Sequence, residues 1–312
     1  MYKNIVISLS LLFCFCSVGV AQYNPYSFLR NNSSARSAAL AGASMTIQGD
    51  AGLVFFNPAL ISTVSDNSIS ATFLKHISDI NSGNVIYIKG YDEIGTFSAN
   101  AAFMSYGSFI ARDKHNNQLN TFNPMDIALS IGYGNELDSN LYYGAAVKFI
   151  FSTIYKSSTS AAAFDFGLFY KIPDINTNIG ISVLNAGFQL SKINDYSESL
   201  PLDIRIGANH KLVGLPLLIN FSFHHLADKT DNFLDKFMNF SLGGEIYFGE
   251  NIMARIGYDN YIRKYTAPDG SKGISGLSFG AGIKFKPLNI DYAFSRIGLG
   301  ANLHRLGVNF QL

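Results

Sequence analysis

From Leu277 to Leu312 the chain alternates between apolar and polar or small positions. Leu277, Phe279, Ala281, Ile283 and Phe285 share one parity, with Ser278, Gly280, Gly282 and Lys284 between them. A period of two places successive side chains on opposite faces of a strand. After Lys286-Pro287 the pattern restarts as Leu288, Ile290, Tyr292 and Phe294 against Asn289, Asp291, Ala293 and Ser295. A last strand sets Leu306, Val308, Phe310 and Leu312 on one face. Left unpaired, that strand would be an adhesive edge, so its pairing with the first strand of a closed barrel is the expectation.

About fourteen such segments begin at Ile69, an even number of the kind outer-membrane barrels use. They start near Ile69, Asn84, Gly95, Asp126, Asn140, Ser160, Thr177, Leu202, Pro216, Phe237, Asn251, Ser275, Leu288 and Leu303. The connections alternate in length. Short turns fall at 92–94, 136–139, 173–176, 213–215, 249–250 and 286–287. Longer connections fall at 76–83, 107–125, 155–159, 191–201, 227–236, 263–274 and 296–302. The predicted fold class is therefore all-β, an antiparallel up-and-down transmembrane barrel with both chain ends on the short-turn, periplasmic side.

Ahead of the barrel, residues 22–68 do not alternate. Ser33 or Ser34 is placed to cap a short helix running towards Ala43, and Asn57-Pro58-Ala59-Leu60 reads as a turn opening another helical turn. This segment is expected to plug the lumen, with Ser34, Ala35, Arg36, Leu40, Gly42, Asn57, Pro58 and Ala59 as its marking residues. Residues 1–21 carry one basic residue, a short apolar core and a small-residue site ending at Ala21, the pattern of a secretory signal peptide. Cys14 and Cys16 both lie within it, leaving 22–312 without a thiol.

Composition narrows the function classes. The chain is 48% hydrophobic and 14% charged, yet beyond Ala21 it has no apolar run of helix-spanning length. With tryptophan absent, any interfacial belt must be built from the 17 tyrosines and 26 phenylalanines. A formal net charge of +1 gives no reason to expect a nucleic-acid partner. Lys148, Asp165, Asp203, Arg205, Glu245, Arg255, Lys284 and Asp291 share the polar parity of their strands. A charge at the lipid midplane costs about 2–4 kcal/mol, so these eight are expected to face the lumen and pair there.

Candidate chemistry is sparse. His224 and His225, read as neighbours in a strand, would point to opposite faces and not form a metal pair. Gly276, Gly280 and Gly282 lie on a strand pattern and lack the strand-to-helix setting of a dinucleotide loop. His76, Asp79 and Ser82 are placed to meet in the first long connection, and His304 lies near Ser295, but neither group carries a nucleophile-elbow or oxyanion motif. The reading is non-enzymatic, without cofactor or metal.

Ser34-Ala35-Arg36-Ser37-Ala38-Ala39-Leu40-Ala41-Gly42-Ala43 followed by Asn57-Pro58-Ala59-Leu60 resembles the start of FadL-like barrels, a superfamily that includes the PorV and PorQ families of the type IX secretion system. The 76–83, 200–207, 221–226, 255–258 and 276–284 stretches resemble the PorQ family, in order along the chain. That resemblance implies a fourteen-stranded, plugged barrel with no catalytic residues in the outer membrane of a Gram-negative bacterium. Its partners would be outer-membrane lipid and a PorZ-like attachment subunit, with PorU and PorV in the same machinery. Two functions are thus expected: an anchor for extracellular secretion subunits held through the long loops, or a FadL-like transporter of hydrophobic molecules. The second requires an apolar pocket, for which Leu53, Phe55, Phe56 and Leu60 are the candidates.

Overall fold

The computed structural model describes residues 25–31, 34–192, 197–265, 273–298 and 301–312. The signal-peptide reading of 1–21, with both cysteines, falls outside them. Among the described residues sixteen strands follow the N-terminal segment: β1 (Ser68–Lys75), β2 (Asn81–Tyr91), β3 (Gly95–Ser105), β4 (Phe109–Arg112), β5 (Gln118–Phe122), β6 (Met125–Asp138), β7 (Leu141–Ile154), β8 (Ser157–Ile172), β9 (Thr177–Ser191), β10 (Asp203–Lys211), β11 (Leu217–Phe223), β12 (Phe240–Phe248), β13 (Ile252–Asp259), β14 (Leu277–Phe285), β15 (Leu288–Gly298) and β16 (Ala301–Gln311). All but β4 and β5 form one closed antiparallel barrel of fourteen strands, and β4–β5 make a separate hairpin between β3 and β6. Closure is direct: β1 pairs β16 from Ser68↔Gln311 to Lys75↔His304, so neither end strand keeps a free edge.

Alternation decides which side chains face out. On β6 to β8, Leu129, Ile131, Phe149, Phe151, Phe166 and Leu168 are all exposed, Ile131 by 68%. Their alternate neighbours Ser130, Lys148, Ser152 and Asp165 are buried. An apolar surface that runs round the whole wall far exceeds the patches a water-soluble monomer tolerates. It is the outward face expected of a membrane barrel.

The two rims differ, as the loop lengths suggest, with three local departures. The rim where β1 begins and β16 ends, here the turn rim, carries short connections. The opposite, loop rim carries the long ones, but two of its predicted loops are tight. β7 and β8 join through Tyr155 and Lys156 alone, with Tyr155 at φ 51°, and β15 and β16 leave only 299–300 between them. The strand expected from Phe237 starts at Phe240, because Phe233–Met238 coils into a 3-10 turn.

The N-terminal segment runs inside the barrel. A helix, α1 (Ala35–Ala39), is capped by Ser34, whose side chain accepts from the Ser37 amide. Two 3-10 turns follow at Ala51–Leu53 and Pro58–Thr63, capped by Asp50 and Asn57. Leu40, Met45, Leu53, Leu60 and Ile61 are fully buried in one cluster with Ile86, Ile88 and Phe169 of the wall. The wall accommodates this backbone with glycine. A Cβ on Gly144 of β7 would sit 2.3 Å from the Pro58 carbonyl oxygen, and one on Gly257 of β13 would sit 2.4 Å from the Leu40 carbonyl carbon. No larger residue fits either position without moving main chain.

Candidate functional site in the lumen

Three polar groups tie the inner segment to the wall. Asn57, fully buried, accepts from the Ala59 amide at 3.1 Å and donates to the Leu168 carbonyl on β8, also at 3.1 Å. Asn209 of β10 donates to the Thr46 carbonyl at 2.7 Å, and the Ser182 hydroxyl of β9 donates to the Phe56 carbonyl at 2.8 Å. Such bonds satisfy carbonyls of an irregular backbone that would otherwise be orphaned in a dry interior.

Towards the turn rim lies a five-membered charge network. Arg36 donates Nε and Nη2 to the two Glu245 oxygens at 2.9 and 2.6 Å and Nη1 to Asp50 at 3.2 Å. Arg255 Nε donates to the same Glu245, and its Nη1 donates to Asp291 at 2.6 Å. Tyr247 closes the set by donating its hydroxyl to Glu245. The network joins α1 to β12, β13 and β15, so the inner segment is held by ion pairs as well as by apolar packing.

At mid-height the wall itself is reshaped. Asn185 of β9 has φ 59° and sits at a register shift between β8 and β9 opposite Asp165. A bulge of this kind re-aims a side chain. Here the Asn185 amide donates to Asp165 at 2.7 Å, and Lys148 Nζ reaches Asn185 Oδ1 at 2.8 Å and Asp165 at 2.7 Å. Arg205 pairs with Asp203 two residues away at 2.7 Å and lies over the Phe56 ring. Between these groups and the inner segment is a narrow cavity of about 40 Å³ whose apolar lining includes Phe28, Leu29, Phe55, Phe56, Ala128 and Leu184.

Seven of the eight charges assigned to the lumen are thus buried and paired there. Lys284 is not: it keeps the inward parity of β14 but stands exposed at the turn rim, beyond the last packed layer. Of the inner-segment residues, Leu40 and Ala59 are wholly buried, Ala35 is 1% exposed, and Gly42 takes φ 87° as the chain leaves α1. Of the four residues expected to line an apolar pocket, Phe55 and Phe56 reach the cavity, while Leu53 and Leu60 lie wholly within the packed cluster.

The histidine expectation needs correction. β11 ends at Phe223, and His225 adopts φ 56°, so strand alternation no longer applies to the pair. Both rings turn inward and meet edge to face, with their Nδ1 atoms 3.1 Å apart. Burial holds the His225 pKa well below its usual value despite nearby Asp203, so the imidazole is neutral. His76 Nε2 and Ser82 Oγ do meet, at 2.9 Å, but Asp79 makes no ion pair with that histidine among the described residues. Burial, aided by Arg305, pushes the His76 pKa down to about 4. His304 faces outward against Tyr292, whereas Ser295 faces inward, so those two do not form a site. Gly276 precedes β14 in a turn, and Gly280 makes room for Ala39 of α1.

Sequence reasoning missed Arg305 and Asp259, both buried. Arg305 was legible, since it shares parity with Gly307 and Asn309 opposite the apolar face of β16.

No family model matches the chain, and no curated protein matches it in sequence. Solved structures do match in fold. The toluene transporter TodX of Pseudomonas putida superposes with a TM-score of 0.56 at 14% identity, covering 89% of this chain and 96% of its own. A FadL homologue of Pseudomonas aeruginosa and the monoaromatic hydrocarbon channel CymD each give 0.55 at 11% identity, covering 90% of this chain and 98% of theirs. The chain shares the barrel fold of these structures.

Proposed function

We propose that this chain is a non-enzymatic outer-membrane channel for small hydrophobic compounds. The observation that carries the reading is the mid-height cavity, where Phe28, Leu29, Phe55 and Phe56 of the inner segment oppose Ala128 and Leu184 of the wall. At about 40 Å³ the space is below the about 150 Å³ that holds benzene, so its apolar lining marks a constriction that a compound enters as the inner segment shifts. The fold shared with a toluene transporter and a monoaromatic hydrocarbon channel supports the same assignment. The loop rim then faces outward from the cell and the turn rim faces the periplasm. Proteoliposomes bearing the folded barrel are expected to take up labelled toluene several-fold faster than empty vesicles while excluding glucose. Equal toluene rates in both would overturn the channel reading.

A second reading rests on a different observation. The PorQ-like series runs in order through the chain, and the loop rim projects two apolar elements. These are the β4–β5 hairpin with exposed Phe109, Ile110 and Leu119, and the 3-10 turn with exposed Phe233 and Leu234. In this reading the barrel anchors an extracellular, PorZ-like subunit of the type IX machinery, with PorU and PorV as its co-workers. Deleting the gene should then deplete a set of surface proteins and release them to the medium or periplasm, as read by quantitative mass spectrometry. An unchanged secretome would remove the anchoring role and leave the channel.

A further inference from the structure

A second cavity, of about 320 Å³, opens at the loop rim between the inner segment and β10, β13, β15 and β16. The acidic and basic groups around it are almost all accounted for. Arg30 is paired with Asp228, Arg205 with Asp203, and Asp259 accepts from the Tyr261 and Ile262 amides with His224 Nε2 at 3.5 Å. Arg305 is the exception. It is 95% buried on β16 (5% exposed), donates Nη1 to Ser295 Oγ at a long 3.3 Å, and leaves Nε without a partner. Among the described residues no carboxylate pairs with it.

The neighbours of Arg305 do not supply the missing charge. His76 and His225, both on this cavity, are held neutral by burial, and His225 Nε2 also lacks a hydrogen-bond partner. A buried guanidinium without an anion is costly, and natural proteins keep one where a ligand completes it. The remaining lining is apolar at Ile262, Ile297 and Leu303. One uncompensated positive charge beside an apolar wall matches a monoanion with an apolar body, and guanidinium geometry suits a carboxylate. The space suffices, since an apolar cavity of about 150 Å³ holds benzene.

We infer that the loop-rim cavity binds a small organic carboxylate, with its carboxylate on Arg305 and its apolar body against Ile262, Ile297 and Leu303. The inference rests on the channel reading only for the direction in which such a ligand would travel; the site itself stands on the cavity and its unpaired arginine.

The test is equilibrium dialysis of labelled benzoate against the folded, detergent-solubilised full chain, with neutral benzyl alcohol as the isosteric control. Benzoate is expected to bind saturably and at least about tenfold more tightly than benzyl alcohol, the scale of one charge-assisted contact. Arg305→Met should lose that preference while melting at the same or a higher temperature, because it removes an unpaired buried charge. A merely structural arginine would lower the melting temperature instead. Absence of saturable benzoate binding, equal affinity for the alcohol, or undiminished binding in Arg305→Met would each overturn the site. The wild-type comparison decides even if the variant does not fold. Benzoate binding without toluene uptake would leave this site standing and remove the channel; toluene uptake without benzoate binding would do the reverse.

Discussion

Arg255→Met is expected to destabilise the folded barrel by about 3–5 kcal/mol, the cost of breaking a buried ion pair from one side. Arg255 is 4% exposed and is shared between Glu245 and Asp291. The network holds two arginines against three carboxylates, so removing this arginine leaves Arg36 alone facing Glu245 and Asp50. Among the described residues Asp291 would retain only Asn309 Nδ2 at 3.5 Å. Methionine fills similar volume, so the loss is electrostatic and not a cavity effect. Pairing Arg255→Met with Asp291→Asn should recover a large part of the loss, since the orphaned charge is removed with its partner. Urea unfolding followed by circular dichroism reads both. Coincident midpoints for wild type and Arg255→Met would show that the network does not hold the barrel together.

Gly144→Val is expected to empty part of the lumen while leaving the wall intact. The β-carbon would meet the Pro58 carbonyl oxygen at 2.3 Å and the Ala59 nitrogen at 2.7 Å, both backbone atoms that no rotamer change can move. Overpacking of this kind costs about 1–3 kcal/mol or more. β7, in contrast, gains a residue suited to strands. Residues 57–60 rather than the wall should therefore yield, losing the Asn57 bond to Leu168. Single-channel recording should show a conductance several times that of wild type, and limited proteolysis should cleave between residues 34 and 64. Ala145→Val, on the outward face of the same strand, is the control and should match wild type. Unaltered conductance and protease resistance in a folded Gly144→Val protein would mean that the segment does not obstruct the barrel.

The two variants separate the forces that keep the inner segment in place. Arg36 is a member of the charge network, so Arg255→Met weakens the hold near the turn rim, whereas Gly144→Val acts where Pro58–Thr63 lies against β6, β7 and β8. For the channel reading this distinction matters. Leu40, Leu53, Leu60 and Ile61 fill the lumen beside the apolar cavity, so a compound leaving that cavity towards the turn rim has to move this segment. Such movement has to break both the polar contacts at 2.6–3.2 Å and the apolar cluster that Leu40, Leu53, Leu60 and Ile61 form with Ile86, Ile88 and Phe169 of the wall.

The strand number, the closed barrel and the inward parity of most charges were legible in the sequence because each is a consequence of period-two patterning, which is local. Lipid on one side and a polar lumen on the other force each strand to declare its faces, as Leu129 and Ile131 against Ser130 do on β6. Patterning fails where the backbone leaves the strand. Tyr155, Asn185 and His225 all have positive φ, and there the sequence misjudged a loop length, hid a bulge and mispaired two histidines. Partners were equally invisible. Arg36 meets Glu245 across 209 residues, and nothing local to either states that distance. Arg305 shows the complementary limit. Its inward parity is written in β16, but that it is buried without a carboxylate, on a cavity with apolar walls, is decided only when the inner segment and three other strands are brought around it.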